Sequence, residues 1–102
     1  EQELSEACAQ ADRTGLFCCP HTGVAFGGLL KLLERGQIKR SDRVVVISTA
    51  HGLKFTDFKI RYHQDELVEF GVHPRKPNLP IELPADYDTV RDVLFRKLDS
   101  VA

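Results

Sequence analysis

No methionine occurs in this 102-residue chain. Translation starts with methionine and its removal normally requires a small second residue, not the Glu1 found here, so the sequence is expected to be an excised fragment or a processed product. An excess of one charge is also lacking. With 14 Lys/Arg against 15 Asp/Glu and a formal net charge of -1, no field favours nucleic acid or an acidic membrane surface, and neither is expected as a partner. Long hydrophobic runs are missing too. Stretches such as Leu29-Leu30 and Val44 to Ile47 fall far short of the ~20 residues of a bilayer span. Cysteine is scarce: Cys8, Cys18 and Cys19 are an odd number, two are adjacent and none forms a Cys-x-x-Cys pair. A disulfide framework is therefore not expected, and a reducing compartment fits better. The acidic, polar start Glu1-Gln2-Glu3 does not resemble a signal or transit segment.

What is present is enough apolar content, 42%, for a packed core in one domain or part of one. Leu4, Ala7, Cys8 and Ala11 recur at helical spacing up to the breaker Asp12-Arg13-Thr14-Gly15, which predicts a helix over 2–12. Pro20 suits a first helical turn, and Ala25 to Leu33 make an apolar face closed by Gly36, predicting a helix over 21–35. Within residues 43–48, Val44 to Ile47 are four β-branched residues in a row without polar alternation, the pattern of a parallel strand covered on both faces. Thr56 is expected to cap a helix over 56–63. Residues 71–85 hold Pro74, Pro77, Pro80 and Pro84 and predict a surface connection, with Leu79 to Leu83 at best an edge strand. Asp86 or Asp88 is expected to cap a last helix, 87–100, whose Val90, Val93, Leu94 and Leu98 keep i, i+3, i+4 spacing.

The fold class expected is α/β, with helices packed on a parallel sheet that is incomplete in this chain. One strong strand cannot make a parallel sheet. Leu16 to Cys19 offers a short second strand, and further partners are expected in sequence beyond this stretch.

The predicted strand ends on Ser48-Thr49-Ala50-His51-Gly52. In open parallel sheets ligands bind beyond the carboxyl ends of the strands, where the next helix presents free N–H groups. A threonine hydroxyl there either donates to or accepts from a ligand. The plainer alternative is that Ser48 and Thr49 only cap the next helix. A Ser48-His51-Asp57 triad is disfavoured, because no nucleophile elbow of the Gly-x-Ser-x-Gly kind is present. A metal site from Cys18, Cys19 and His21 is disfavoured because adjacent cysteines do not readily chelate one tetrahedral ion. His51, His63 and His73 show no chelating spacing. No metal ligand is assigned.

Two stretches together carry a resemblance: Gly15-Leu16-Phe17-Cys18-Cys19-Pro20-His21-Thr22-Gly23-Val24-Ala25, and Val44-Val45-Val46-Ile47-Ser48-Thr49-Ala50-His51-Gly52-Leu53-Lys54-Phe55. The chain resembles the C-terminal region of the threonine synthase family, of the plant and bacterial type, from about Glu1 onward. The resemblance implies part of the large α/β domain of a fold-type II enzyme. Such an enzyme uses pyridoxal 5′-phosphate to convert O-phosphohomoserine and water to threonine and phosphate. It implies that Thr49 lies under the pyridine nitrogen of the cofactor. A neutral hydroxyl there, unlike a carboxylate, leaves the ring a moderate electron sink. It also implies Thr22 as a second cofactor contact and His21 as a weaker third. The alternative for Thr22 is a helix-turn role, with Gly23, Gly27 and Gly28 allowing close helix packing. Phe26-Gly27-Gly28 departs from the larger residues expected in the family.

The family's Schiff-base lysine sits in a Ser-x-Lys-Asp-type segment and its phosphate cradle in a Gly/Asn-rich loop, and neither occurs among these residues. No catalytic residue is therefore assigned, and the chain alone is expected to be inactive. The expected partners are the remainder of the enzyme chain, O-phosphohomoserine as substrate of the whole enzyme, and a second copy in a homodimer. A cytoplasmic location is expected, with the plastid stroma as alternative. Two other readings stay open: a segment of a related fold-type II lyase or dehydratase, and a stand-alone anion-binding α/β module.

Overall fold

The computed structural model describes residues 1–101. They form four α-helices, α1 (Gln2–Asp12), α2 (Pro20–Glu34), α3 (Thr56–His63) and α4 (Tyr87–Val101), with single 3₁₀ turns at Gly52–Phe55 and Val68–Phe70.

The ends of these helices follow from local chemistry. After α1 the chain turns through Gly15 at φ +90°, and the Thr14 hydroxyl donates back to the Ala11 carbonyl at 2.7 Å. Pro20 opens α2, where the missing N–H of proline costs nothing. Gly36, at φ +69°, closes it in a Schellman turn: Gln37 N–H donates to Leu32 O and Gly36 N–H to Leu33 O, both at 3.0 Å. Asp86 caps α4, accepting from the Thr89 backbone at 2.9 Å and from its hydroxyl at 2.6 Å. The cap expected from Thr56 does not form. Thr56 is the first helical residue, Phe55 holds the cap position, and no side chain bonds there.

α1 packs on α2 through Gly23. A Cβ at that position would stand 2.9 Å from both Cys8 Cβ and the Leu4 carbonyl oxygen, so only glycine permits this approach. The same role expected of its neighbours is not seen. Nothing lies within contact distance of a Cβ at Gly28, and at Gly27 the nearest atom would be 3.8 Å away. A second small core joins Tyr62, Leu67 and Val72, flanked by Ala9 and Phe58.

The proline-rich connection is tied down by backbone groups that have no helix or sheet to satisfy them. Gln2 pairs with both backbone groups of His73, at 2.7 and 2.9 Å. Glu6 accepts from Arg75 N–H, and the His63 ring from Asn78 N–H.

The strand predicted over 43–48 is not formed. Those residues are irregular and make no ladder with any described residue, and Val45 and Ile47 are 89% and 75% exposed. The physical reason is the one its pattern implies: a strand built to be covered on both faces has no neighbour here to pair with. Leu79 to Leu83 is also irregular. At Leu16 to Cys19 the expected parallel strand is replaced by one antiparallel bridge, Cys18 to His51, with Gly52 N–H donating to Phe17 O at 2.9 Å.

Two dimensions describe how loosely the described residues are held. The radius of gyration is 16.0 Å, against about 13 Å for a compact domain of this length. The accessible surface is 7877 Å², against about 5,800 Å² for a folded monomer of this mass. No residue of α4 is buried.

Candidate functional site

The bridge between Cys18 and His51 brings the start of α2 up against the segment that ends in Thr49. Cys19 is the N-cap residue of α2, in extended conformation at φ -78° and ψ 161°. That geometry turns its sulfur toward the first turn of the helix. The sulfur lies 3.3 Å from the Thr22 hydroxyl and 3.7 Å from the Thr49 hydroxyl. The two threonines, 27 positions apart in sequence, are thus gathered on one atom. Thr22 and Cys19 are buried, whereas Thr49 is exposed. Of the two hydroxyls, Thr49 is the one open to an incoming group.

Electrostatics at the sulfur follow from these contacts. The Thr22 hydroxyl, opposed by burial and helped by the Thr22 amide, the Thr49 hydroxyl and the Ala50 amide, lowers the Cys19 thiol from its ordinary 9.0 to about 6. A thiolate can only accept. When Cys19 is ionised, both hydroxyl protons are drawn to the sulfur and the Thr49 oxygen offers lone pairs outward.

The other strand-end residues have local tasks. The helix-cap role weighed for Ser48 and Thr49 is taken by His51, whose Nδ1 accepts from Leu53 N–H at 3.2 Å. The His51 ring meets Phe17 edge-on, with centroids 5.8 Å apart. Gly52 is buried, and a Cβ there would come within 2.7 Å of the Phe17 ring, so the chain turns only because the side chain is absent. His21 is exposed and lies edge-on to Phe55, at 5.6 Å, away from Cys19 Sγ. Among the described residues no hydrogen bond joins Ser48, His51 and Asp57 into a triad. Cys18, Cys19 and His21 point to three different neighbourhoods.

A second polar centre lies behind the first. Lys59 on α3 is buried at 6% exposure and donates to both Asp12 oxygens, at 2.8 and 2.6 Å, and to Cys8 Sγ at 3.0 Å. Its ammonium also sits 4.7 Å over the Phe17 ring. Burial alone pushes the Lys59 pKa down, but the Asp12 carboxylate and the Cys8 sulfur outweigh it and the group is held above its ordinary 10.5. Asp12 further accepts from Cys18 N–H at 3.2 Å, and Cys8 Sγ stands 3.5 Å from Cys18 Sγ. The potential ligand atoms of Cys8, Asp12 and Cys18 lie within 4.8 Å of one another. The cationic place among them is already taken by Lys59. A cavity of about 900 Å³ runs along this side of the molecule, between α1, α3 and the proline-rich segment, with Asp12, Phe17 and Lys59 in its wall.

Sequence reasoning missed both Cys19 and this network. For Cys19 a signal exists, since it precedes Thr22 by three residues at a predicted helix start, which is N-cap to N3 spacing. For Lys59 and Asp12, 47 positions apart, there is none.

No family model matches the chain. Curated relatives do. The chain is 50% identical over 100 residues, 98% of its length, to threonine synthase 2, chloroplastic, of Arabidopsis thaliana, of which it covers 19%. It is 33% identical over 95 residues, 92% of its length, to the threonine synthase of Methanocaldococcus jannaschii, covering 20%. A Bacillus threonine synthase matches at 30% over 69 residues, 67% of this chain and 20% of that protein. All three relatives are synthases, which sets the class: the chain matches part of an enzyme. The particular enzyme is the same each time, and the chain corresponds to a segment of threonine synthase about a fifth as long as the whole. No described helix is long and apolar enough to cross a membrane.

Proposed function

We propose that this chain is the C-terminal part of the cofactor-bearing α/β domain of a threonine synthase, a pyridoxal-phosphate lyase of fold type II. The complete enzyme would convert O-phosphohomoserine and water to threonine and phosphate. Thr49 is then the hydroxyl under the pyridine nitrogen, and Thr22 is a supporting residue that reaches the site through Cys19. The observation that carries the reading is the convergence of the two motifs: the Cys-Pro-His-Thr turn and the Ser-Thr-Ala-His turn meet at one sulfur, with Thr49 left exposed.

The residues present suit the ring end of such a cofactor. An exposed hydroxyl is a neutral contact for a heterocyclic nitrogen: Thr49 can donate to an unprotonated ring nitrogen when Cys19 keeps its proton, and accept from a protonated one when Cys19 is ionised. The cofactor, when bound, supplies the electron sink for the chemistry. This chain's residues orient its ring: Cys19 sets the hydroxyl direction of Thr49, and the Cys18–His51 bridge holds the turn at fixed distance from α2.

The remainder of the enzyme is the partner that the excess of about 2,000 Å² over a compact monomer calls for. Residues 43–48 would pair there as a strand of the parallel sheet, and the enzyme would work as a homodimer in the cytoplasm or plastid stroma. A stand-alone anion-binding module is disfavoured, because the Leu53 N–H that would meet an anion is already bonded to His51.

The test uses the full-length threonine synthase that contains this segment. Thr49→Ala is expected to weaken pyridoxal phosphate binding about tenfold, the loss of one hydrogen bond, and to shift the absorbance of the bound cofactor. Thr49→Ser should restore both, and the 102-residue chain mixed with the cofactor should develop no visible band. Unchanged affinity and spectrum in Thr49→Ala, or a coloured complex with the short chain, would refute the assignment.

A further inference from the structure

We propose that Cys8 and Cys18 are a site of reversible two-electron oxidation, closing to a disulfide when the protein meets a small peroxide. The inference stands apart from the cofactor reading: the one residue they share is Cys18, whose backbone bridges to His51 there and whose sulfur acts here. It rests on geometry among buried groups that the proposed function leaves unused.

The two sulfurs are 3.5 Å apart, and a disulfide requires about 2.05 Å. Bond formation therefore takes a movement of about 1.5 Å between Cys8 on α1 and Cys18 in the bridged segment just before α2. Both thiols are free. The Lys59 ammonium donates to Cys8 and not to Cys18, so the pair is asymmetric. Burial and the neighbouring Cys8 push the Cys18 thiol up to about 12, which keeps its proton in place. Cys8 is thereby the attacking sulfur and Cys18 the resolving one.

The way in is the cavity beside α3. Lys59 and Asp12 line it and Lys59 is hydrogen-bonded to the buried Cys8 sulfur, so a peroxide would reach Cys8 by displacing the Lys59 ammonium. In the first step the sulfur of Cys8 attacks one peroxide oxygen. The S–O bond forms as the O–O bond breaks, and the departing oxygen leaves as water with the Cys8 proton. In the second step Cys18 attacks the Cys8 sulfenic acid. The S–S bond forms, the S–O bond breaks, and the hydroxyl leaves as water with the Cys18 proton. Two thiols are oxidised, one peroxide is reduced and two waters are released. A thiol reductant reverses the change.

Cys19 is not a competing partner. Its sulfur faces Thr22 and Thr49, while Cys8 meets only the Cys19 carbonyl oxygen, at 3.8 Å.

The experiment treats the full-length enzyme and, separately, the 102-residue chain with hydrogen peroxide, quenches with an alkylating agent and maps the peptides by mass spectrometry. Loss of two hydrogens and a cross-linked pair containing Cys8 and Cys18 is expected, with Cys19 alkylated. Dithiothreitol should return all three thiols. Lys59→Met is expected to slow the linkage about tenfold, with Lys59→Arg keeping most of the rate should the Met variant fail to fold. In urea the preference for the 8–18 pair should vanish. Cross-links to Cys19, stable oxygen adducts on Cys8 without a cross-link, or three free thiols in the folded protein would each overturn the proposal.

Discussion

Cys19 concentrates the chemistry of this chain in one side chain. It holds the N-cap position of α2, and its sulfur is a neighbour of both motif threonines and an acid displaced from 9.0 to about 6. The linkage sign follows from a folded pKa below the unfolded one. The contribution of ionised Cys19 to stability is fully present above pH 9 and is lost as pH falls toward 6. Ultraviolet titration of the thiolate, with Cys19→Ser as reference, should show a midpoint near 6 in the folded chain and near 9 in denaturant. Denaturant midpoints of the native chain, but not of Cys19→Ser, should rise between pH 6 and pH 9. A coincident midpoint for folded and unfolded forms would remove the argument for an ionised sulfur behind Thr49.

At the scale of elements, the contact between α1 and α2 turns on one glycine out of three. Gly23→Ala places a methyl against the Leu4 carbonyl and Cys8 Cβ and is expected to destabilise by about 1–3 kcal/mol, as overpacking does. Gly28→Ala meets no neighbour inside the same helix and is expected to stabilise by about 0.5–1 kcal/mol through helix propensity. Chemical denaturation of the pair of variants checks both signs.

These helices were legible in the sequence because a 3.6-residue period, a proline at the start and a glycine at the end are local signals. Ala7 and Cys8 are buried on α1 as expected, Leu4 is only half-buried and Ser5 is buried beside them, and Gly36 does close α2. The fate of residues 43–48 was not legible, since a β-branched run specifies what would cover it but not whether the cover is at hand. The candidate site was half legible. Thr49 and Thr22 stand in recognisable turns, but their common neighbour is a contact over 30 positions. Lys59 reads as one more surface lysine until α3 folds back on Asp12.

The molecule as a whole is held unevenly. The buried groups lie on α1, α2, α3 and the segments just before α2 and on either side of α3, whereas α4 buries none and its Leu94 and Leu98 are more than half exposed. A 15-residue helix without packing is marginal in water. Hydrogen exchange on the 102-residue chain should therefore show α4 amides nearly unprotected beside slow amides in α1 and α2. In the full-length enzyme the same α4 amides should become protected.

The ion pair between Lys59 and Asp12 also bears on the order in which the chain assembles. α1 and α2 are neighbours joined by a short turn and meet without closing a large loop. α3 reaches its place by closing one of 47 positions, and the Gln2–His73 pairing closes one of 71. Chain entropy puts such contacts late on a folding route. The helical hairpin is then expected to form first, with the docking of α3 as the step that desolvates Lys59 and covers Cys8. Any loosening that begins at the far end of that loop reopens the sulfur chemistry before it disturbs the helix start on which Thr22 and Cys19 sit.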